Sequence, residues 1–441
     1  MKHIKTILAA TIASLSISQA FAVTDYIAGS TSFRKAANAA ISAWVESQGG
    51  VAGQNGIIYC DQNAASGPQG ATDIVWSYND TVNGDAKNRS YIIAHWSGGE
   101  LGFQITASTQ TTSFLNLSAA SALLYSNPIL WSNFKNSAPT TATPVTGYTA
   151  QSSANICFTD TKQTSSYFHG TYAGVNYVNL TSANGSYPGV AISTYVFLTS
   201  NAAPSDVTNI SADSARLLFA TGYLNGGFLS GNSADNSYGF WLIGRDIDAA
   251  AREQILGIIG YGVFKPVQQY VVTAPGSIQL SPAATIDGIR EIVGNGGYSS
   301  GSSSSSSGLV YNIINYGNLG TNALIGGTTS QFASGNYLLG YSGTGDAGTP
   351  ASPAVNCRIL SYNGVSISNA NIQQGQYPLW GYENIFYNST TATPNTINFA
   401  TQLAQNILNT TTANLYGAGI QLSTMSVARS IDFGTISSLI Y

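Results

Sequence analysis

A strand, a turn of small residues and an amphipathic helix follow one another twice in this chain, and that unit restricts the fold more than any other feature. In the first copy Ile27 to Phe33 runs into Arg34 to Val45, where Ala37, Ile41, Trp44 and Val45 share one face at a period of 3.6. Ser30, Thr31 or Ser32 stands where an N-cap belongs. The second copy is Trp241 to Asp248, which predicts a helix over Ala249 to Ile259 with Asp248 as its cap. Further helices are expected from near Ser211, carrying Leu217, Leu218 and Phe219, and over Phe399 to Leu408, with Phe399, Leu403 and Ile407 four residues apart. Apolar runs at Gly189 to Leu198 and Leu309 to Ile314 read as strands between them. Strands alternating with helices predict an α/β fold.

The 441 residues suffice for about three ordinary domains or two larger ones. With 44% hydrophobic residues and 26 Tyr, 16 Phe and 6 Trp the chain can fill a large core, so disorder is not the default. Only 8% of residues are charged, against roughly 25% in an average soluble domain, and Gly, Ser, Thr and Asn take their place. Fifteen Lys and Arg face 19 Asp and Glu with no basic stripe, which speaks against nucleic acid as a partner. Residues 1–22 have the form of a signal peptide: Lys2 and Lys5, a mostly apolar Ile7 to Ile17, and an Ala20-Phe21-Ala22 cleavage site. Val23 then begins the mature chain, and because it is not Cys no lipid anchor is expected. The protein should be exported, to the periplasm or beyond the cell. No later stretch reaches the ~18 apolar residues of a membrane helix. Cys60, Cys157 and Cys357 fit no zinc spacing; one disulfide with one free thiol, or three free thiols, both suit an exported chain, and a structural role is expected. The Ser/Gly tract 299–308 and the Thr/Pro-rich stretch Ala138 to Thr146 read as surface loops.

Enzyme chemistry finds few parts. The mature chain keeps only His95 and His169, HExxH and P-loop motifs are missing, and Gly297-Tyr298-Ser299-Ser300-Gly301 lacks the strand–turn–helix setting of a nucleophile elbow. His95, beside Trp96 in an apolar run, reads as a packed histidine. No catalytic residue, metal site or cofactor is therefore nominated. What remains is a set of small turns ahead of helices, where free backbone N–H groups and the helix dipole favour an anion. Ser30-Thr31-Ser32 is one and His95 to Gly102, with Ser97, is another; ordinary capping or a tight turn explains the same residues without a ligand. Arg245 is the third candidate: its fork can clamp an oxyanion, or pair with Asp246 or Asp248.

Five segments, in order, resemble the PstS-like group of type 2 periplasmic substrate-binding proteins. Ile27 to Phe33 is similar to the family's N-terminal phosphate loop, and Trp96 to Gly102 to its second Ser-Gly turn. Asn155-Ile156-Cys157-Phe158-Thr159-Asp160 resembles the segment whose final Asp accepts a proton from phosphate. Leu242 to Arg252 resembles Gly-Arg-Asx-x-Asp-Ser-Gly-Thr-Arg, and Gly375 to Glu383 the returning hinge. One departure stands out: Ala249-Ala250-Ala251 replaces Ser-Gly-Thr, which keeps the N–H groups and loses two hydroxyl donors.

The resemblance implies an α/β, two-lobed type 2 periplasmic-binding-protein fold, with lobe I formed by 23–192 plus 383–441 and lobe II by 193–382. It implies a non-catalytic solute-binding protein that captures a small oxyanion, phosphate first, with Ser30, Thr31, Ser32, Ser97, Asp160 and Arg245 as ligand residues and an ABC transporter membrane component as partner. The alternative is a secreted surface or interaction protein on the same scaffold that has lost anion binding.

Overall fold

The computed structural model describes residues 24–48, 56–60, 71–78, 90–115, 149–246, 249–280, 306–349, 352–353 and 357–439. The signal segment, the Ala138 to Thr146 stretch, Gly297 to Gly301, residues 299–305 of the Ser/Gly tract and Asp248 lie outside them.

In chain order the main elements are β1 (Thr24–Gly29), α1 (Arg34–Ser47), β2 (Gly56–Cys60), β3 (Asp73–Tyr78), β4 (Ser90–His95), α2 (Gly99–Thr106) and β5 (Ile156–Thr159). They continue with β6 (Ala191–Ser200), α3 (Ala212–Thr221), β7 (Tyr223–Asn225), β8 (Tyr238–Leu242), α4 (Ala250–Ile258), α5 (Ser306–Tyr316), β9 (Gly335–Gly343), β10 (Trp380–Tyr387) and α6 (Pro394–Leu408). The expected α/β mixture is present, and the strands join in one ladder of order β7-β8-β9-β6-β10-β5-β1-β4-β3-β2. β1 pairs in parallel with β4 and β5, and β8 with β9. At the centre β6 and β10 run antiparallel, Ala191 opposite Glu383 and Thr194 opposite Trp380.

Two large hydrophobic cores flank this ladder. One gathers Ile27, Phe33, Ala37, Ile41 and Trp44 with Ile156, Phe158, Ile385, Phe399 and Leu403. The other gathers Tyr195, Phe197, Leu218, Phe240, Leu242, Ile255, Leu309, Leu338 and Trp380, and reaches Ile420, Met425 and Val427 near the C-terminus. All ten residues of β6 are buried, so this central strand has no solvent-facing side, and its Ser193, Thr194, Thr199 and Ser200 are buried with the apolar residues.

Several helix boundaries follow the capping rules. Ser211 caps α3 by accepting from the Ser214 N–H, and Thr393 caps α6 with Pro394 in its first turn, five residues before the expected start at Phe399. One expectation is corrected. Leu309 to Ile314 is part of helix α5, with Leu309, Val310 and Ile313 buried against the second core. A short apolar run carries no period that separates a strand from a buried helix, and here tertiary packing selects the helix. α1 has Phe33 at its N-cap position, and that side chain makes no cap. Ser30, Thr31 and Ser32 directly precede it.

Candidate functional site

β1 ends at Gly29, where φ is +145° and a Cβ would lie 2.0 Å from the Phe158 carbonyl oxygen of β5. Only glycine permits that approach, and it lets the Ser30 N–H donate to the same oxygen at 2.9 Å. The chain then turns through Ser30, Thr31 and Ser32, all three side chains buried. Ser30 and Ser32 share a hydroxyl hydrogen bond of 2.8 Å, and Ser32 Oγ donates to Asp160 Oδ2 at 3.3 Å. Asp160 follows directly on β5, so the parallel β1–β5 pairing brings two residues 128 positions apart to one spot.

Arg245 arrives from the other core, three residues after β8. Its Nη1 donates to Thr31 Oγ1 at 3.2 Å and its Nη2 to the Ser97 carbonyl at 3.1 Å, while the Tyr341 hydroxyl accepts from its backbone N–H at 3.0 Å. The guanidinium is 1% exposed. Ser97 Oγ is shut off from solvent with no hydrogen-bond partner. A buried unmatched hydroxyl is uncommon and asks for an explanation.

All six residues expected from sequence thus meet where the two cores face each other. Arg245 is held by a hydroxyl and a carbonyl of the opposite core. His95 receives its expected packed role, with Nδ1 2.7 Å from Asp73 Oδ1. Cys157 and Cys357 are buried free thiols; burial pushes the Cys357 thiol up to about 11 and Cys157 higher still.

Sequence reasoning missed three members of the cluster. The Tyr195 hydroxyl, on β6, donates to Asp160 Oδ2, and Gln254 of α4 donates to the Asp160 carbonyl. Glu383 on β10 accepts from Ser193 at 2.7 Å. Tyr195 lies in the apolar run Gly189 to Leu198 and Glu383 at the end of the segment that resembles a returning hinge, but apolar periodicity does not reveal which of their residues face the cluster. Burial holds the Asp160 carboxyl above the usual carboxylate range, opposed by the Tyr195 and Ser32 hydrogen bonds and the Arg245 charge. Glu383 is also raised, by burial first and then by the Asp160 charge.

The start of α4 differs from the expected pattern. Ala249 occupies the N-cap position with extended dihedrals and no side-chain cap. Ala250 packs on the start of α2, where a Cβ on Gly99 would lie 2.8 Å from the Ala250 methyl and 3.0 Å from Asp160 Oδ1. The two helix N-termini therefore abut, and only a glycine fits between them.

Fold and site together define an α/β protein whose two cores meet over a buried cluster of hydroxyls, one carboxyl and one guanidinium. No protein-family model and no curated protein matches the chain. Among solved structures it is similar to a Clostridium perfringens protein described as a phosphate ABC transporter substrate-binding protein, with bound phosphate, at 10% identity and a TM-score of 0.42 over 88% of this chain and 93% of that one. It is also similar to an ABC-type phosphate transport receptor from Vibrio cholerae, at 11% identity and a TM-score of 0.39 over 87% of this chain and 96% of the other. For PstS from Borrelia burgdorferi the values are 12% and 0.35, over 90% and 99%. Among the described residues no helix is long and apolar enough to cross a membrane.

Proposed function

We propose that the protein is an exported, non-catalytic solute-binding protein with lobes 23–192 plus 383–441 and 193–382, which closes on a small oxyanion, phosphate first, and hands it to the membrane component of an ABC transporter. The observation that carries this reading is the convergence of Arg245 with Thr31 and Ser97 across the cleft, beside a Ser97 hydroxyl that has no partner. In this reading Arg245 neutralises the anion, the Ser30 to Ser32 turn and Ser97 donate to it, and Asp160 accepts from a protonated oxygen. A fully deprotonated anion such as sulfate meets the carboxylate without a hydrogen to share and is rejected.

One observation favours the second reading, an interaction protein that has lost anion binding. Ala249 and Ala251 supply no hydroxyl, and the Ala250 methyl occupies the seam between the helix starts. The two readings separate in calorimetry with phosphate, sulfate and arsenate. Solute binding predicts heat with phosphate and arsenate and little with sulfate, and Asp160→Asn narrows that gap because an amide can donate where a carboxylate only accepts. The double change Ala249→Ser with Ala251→Thr is expected to tighten phosphate by about 1 to 3 kcal/mol, the value of hydrogen bonds to a charged group. No heat in the wild type and the restored variant alike would leave the interaction protein as the better reading.

A further inference from the structure

A second charged cluster bridges the two cores beside the proposed ligand site without belonging to it. Arg34 opens α1 next to Phe33, Ala36 and Ala37 of the first core. Asp346 lies in the short turn Thr344–Ala347 that follows β9, next to Ala347 of the second core. The two form a two-pronged ion pair: Arg34 Nη2 donates to Asp346 Oδ1 at 2.8 Å and Nη1 to Oδ2 at 3.0 Å. Their side chains are only 6% and 4% exposed. The neighbouring Lys35 ammonium donates to the Gly345 carbonyl.

The same guanidinium reaches back to the ligand turn, since Arg34 Nη1 also donates to the Thr31 carbonyl at 2.7 Å. The surrounding backbone is built for close approach. A Cβ on Gly343 would lie 2.5 Å from Ser32 Cβ, and one on Gly345 2.8 Å from the Ser32 carbonyl oxygen. Any side chain at either glycine would hold the two sides apart.

We propose that Arg34 and Asp346 form a latch that holds the two lobes closed and sets the Ser30 to Ser32 turn in its ligand-facing position. Both are positioning residues. This inference rests on the two-lobe division proposed above and not on the identity of the ligand. Each partner keeps the other's buried charge matched, and opening the cleft separates them, so the pair favours the closed arrangement by its own contacts.

Small-angle scattering of the ligand-free full chain tests it. Asp346→Asn removes the charge at constant shape and should shift the protein to a larger radius of gyration. Arg34→Lys keeps the charge and loses the fork, so it should open the lobes less. The double variant Arg34→Gln with Asp346→Asn should open no further than Asp346→Asn alone, because the two act as a unit. Where phosphate binds the wild type, Asp346→Asn should weaken it on the order of tenfold or more, the cost of leaving the binding-competent state sparsely populated. A lower melting temperature with an unchanged radius of gyration would make the pair merely structural and overturn the proposal, as would loss of folding in both Asp346→Asn and Arg34→Lys. Absence of phosphate heat in the wild type bears on the ligand alone and leaves the scattering result standing.

Discussion

Arg245→Ala is expected to abolish detectable phosphate binding in calorimetry, with a loss of about 2 to 5 kcal/mol, the range seen when one partner of a buried, hydrogen-bonded charge pair is truncated. The side chain is buried and its two terminal nitrogens face Thr31 and Ser97, so removing it takes from the site the guanidinium that joins those two groups. It also leaves Asp160 without the positive charge that opposes its burial, and the carboxyl then holds its proton more firmly. Arg245→Lys should recover only part of the affinity, since one ammonium cannot reach a hydroxyl and a carbonyl in the geometry of a planar fork. Binding retained in Arg245→Ala would remove this residue from the site.

Stability should fall as pH rises from about 5 to 8.5, and here the second large effect is expected. Glu100 on α2 is fully buried, accepts from Thr161 at 2.7 Å and from Ser166, and is pushed up to about 8 by burial, with the Asp160 and Asp432 charges adding to it. Glu253 on α4 faces it, both carboxyl oxygens buried, and is raised well above its ordinary value by burial and then by Glu100. Arg252 opposes the shift of Glu253, and Lys162 that of Asp432 nearby. A carboxyl whose folded pKa exceeds its unfolded pKa binds more protons when folded. Its contribution is complete below the unfolded value and is lost as pH climbs through the folded value. Glu100 and Glu253 therefore weaken the fold together as pH climbs from near 4.5 through about 8. Asp25, Asp160, Glu383 and Asp432 are shifted in the same direction. Thermal melts should therefore peak near pH 5, and Glu253→Gln should raise the melting temperature at pH 8 while changing little at pH 5. A melting temperature that is flat or rising over this range would show that these carboxyls ionise freely in the fold.

The parts of the fold legible in the sequence are those written in local chemistry. The helix start at Ser211, the period of α1 and the largely apolar β6 need only neighbouring residues, so one chain read in order suffices for them, whereas the expected start of α6 falls five residues after Pro394, where the helix begins. Leu309 to Ile314 was not legible, because an apolar run of six satisfies a strand and a buried helix alike until the surrounding core selects one. In the candidate site, Ser30 to Ser32 and Arg245 stand out as small or forked groups beside helix starts. Tyr195, Glu383 and Gln254 carry no such mark, since each sits among buried residues of a regular element.

Sequence alone determined the alternation of strands and helices and the short motifs placed at strand ends, for these depend on side chains within one turn or one strand. The tertiary structure decided what those motifs meet. The parallel pairing of β1 with β5 carries Asp160 to Ser32, the crossing of β6 and β10 brings Tyr195 and Glu383 beneath them, and the abutting cores set Arg34 against Asp346 and Arg245 against Thr31. Contacts between residues more than a hundred positions apart arise only once sheet register is fixed, and register is set by the burial of whole faces rather than by any single motif.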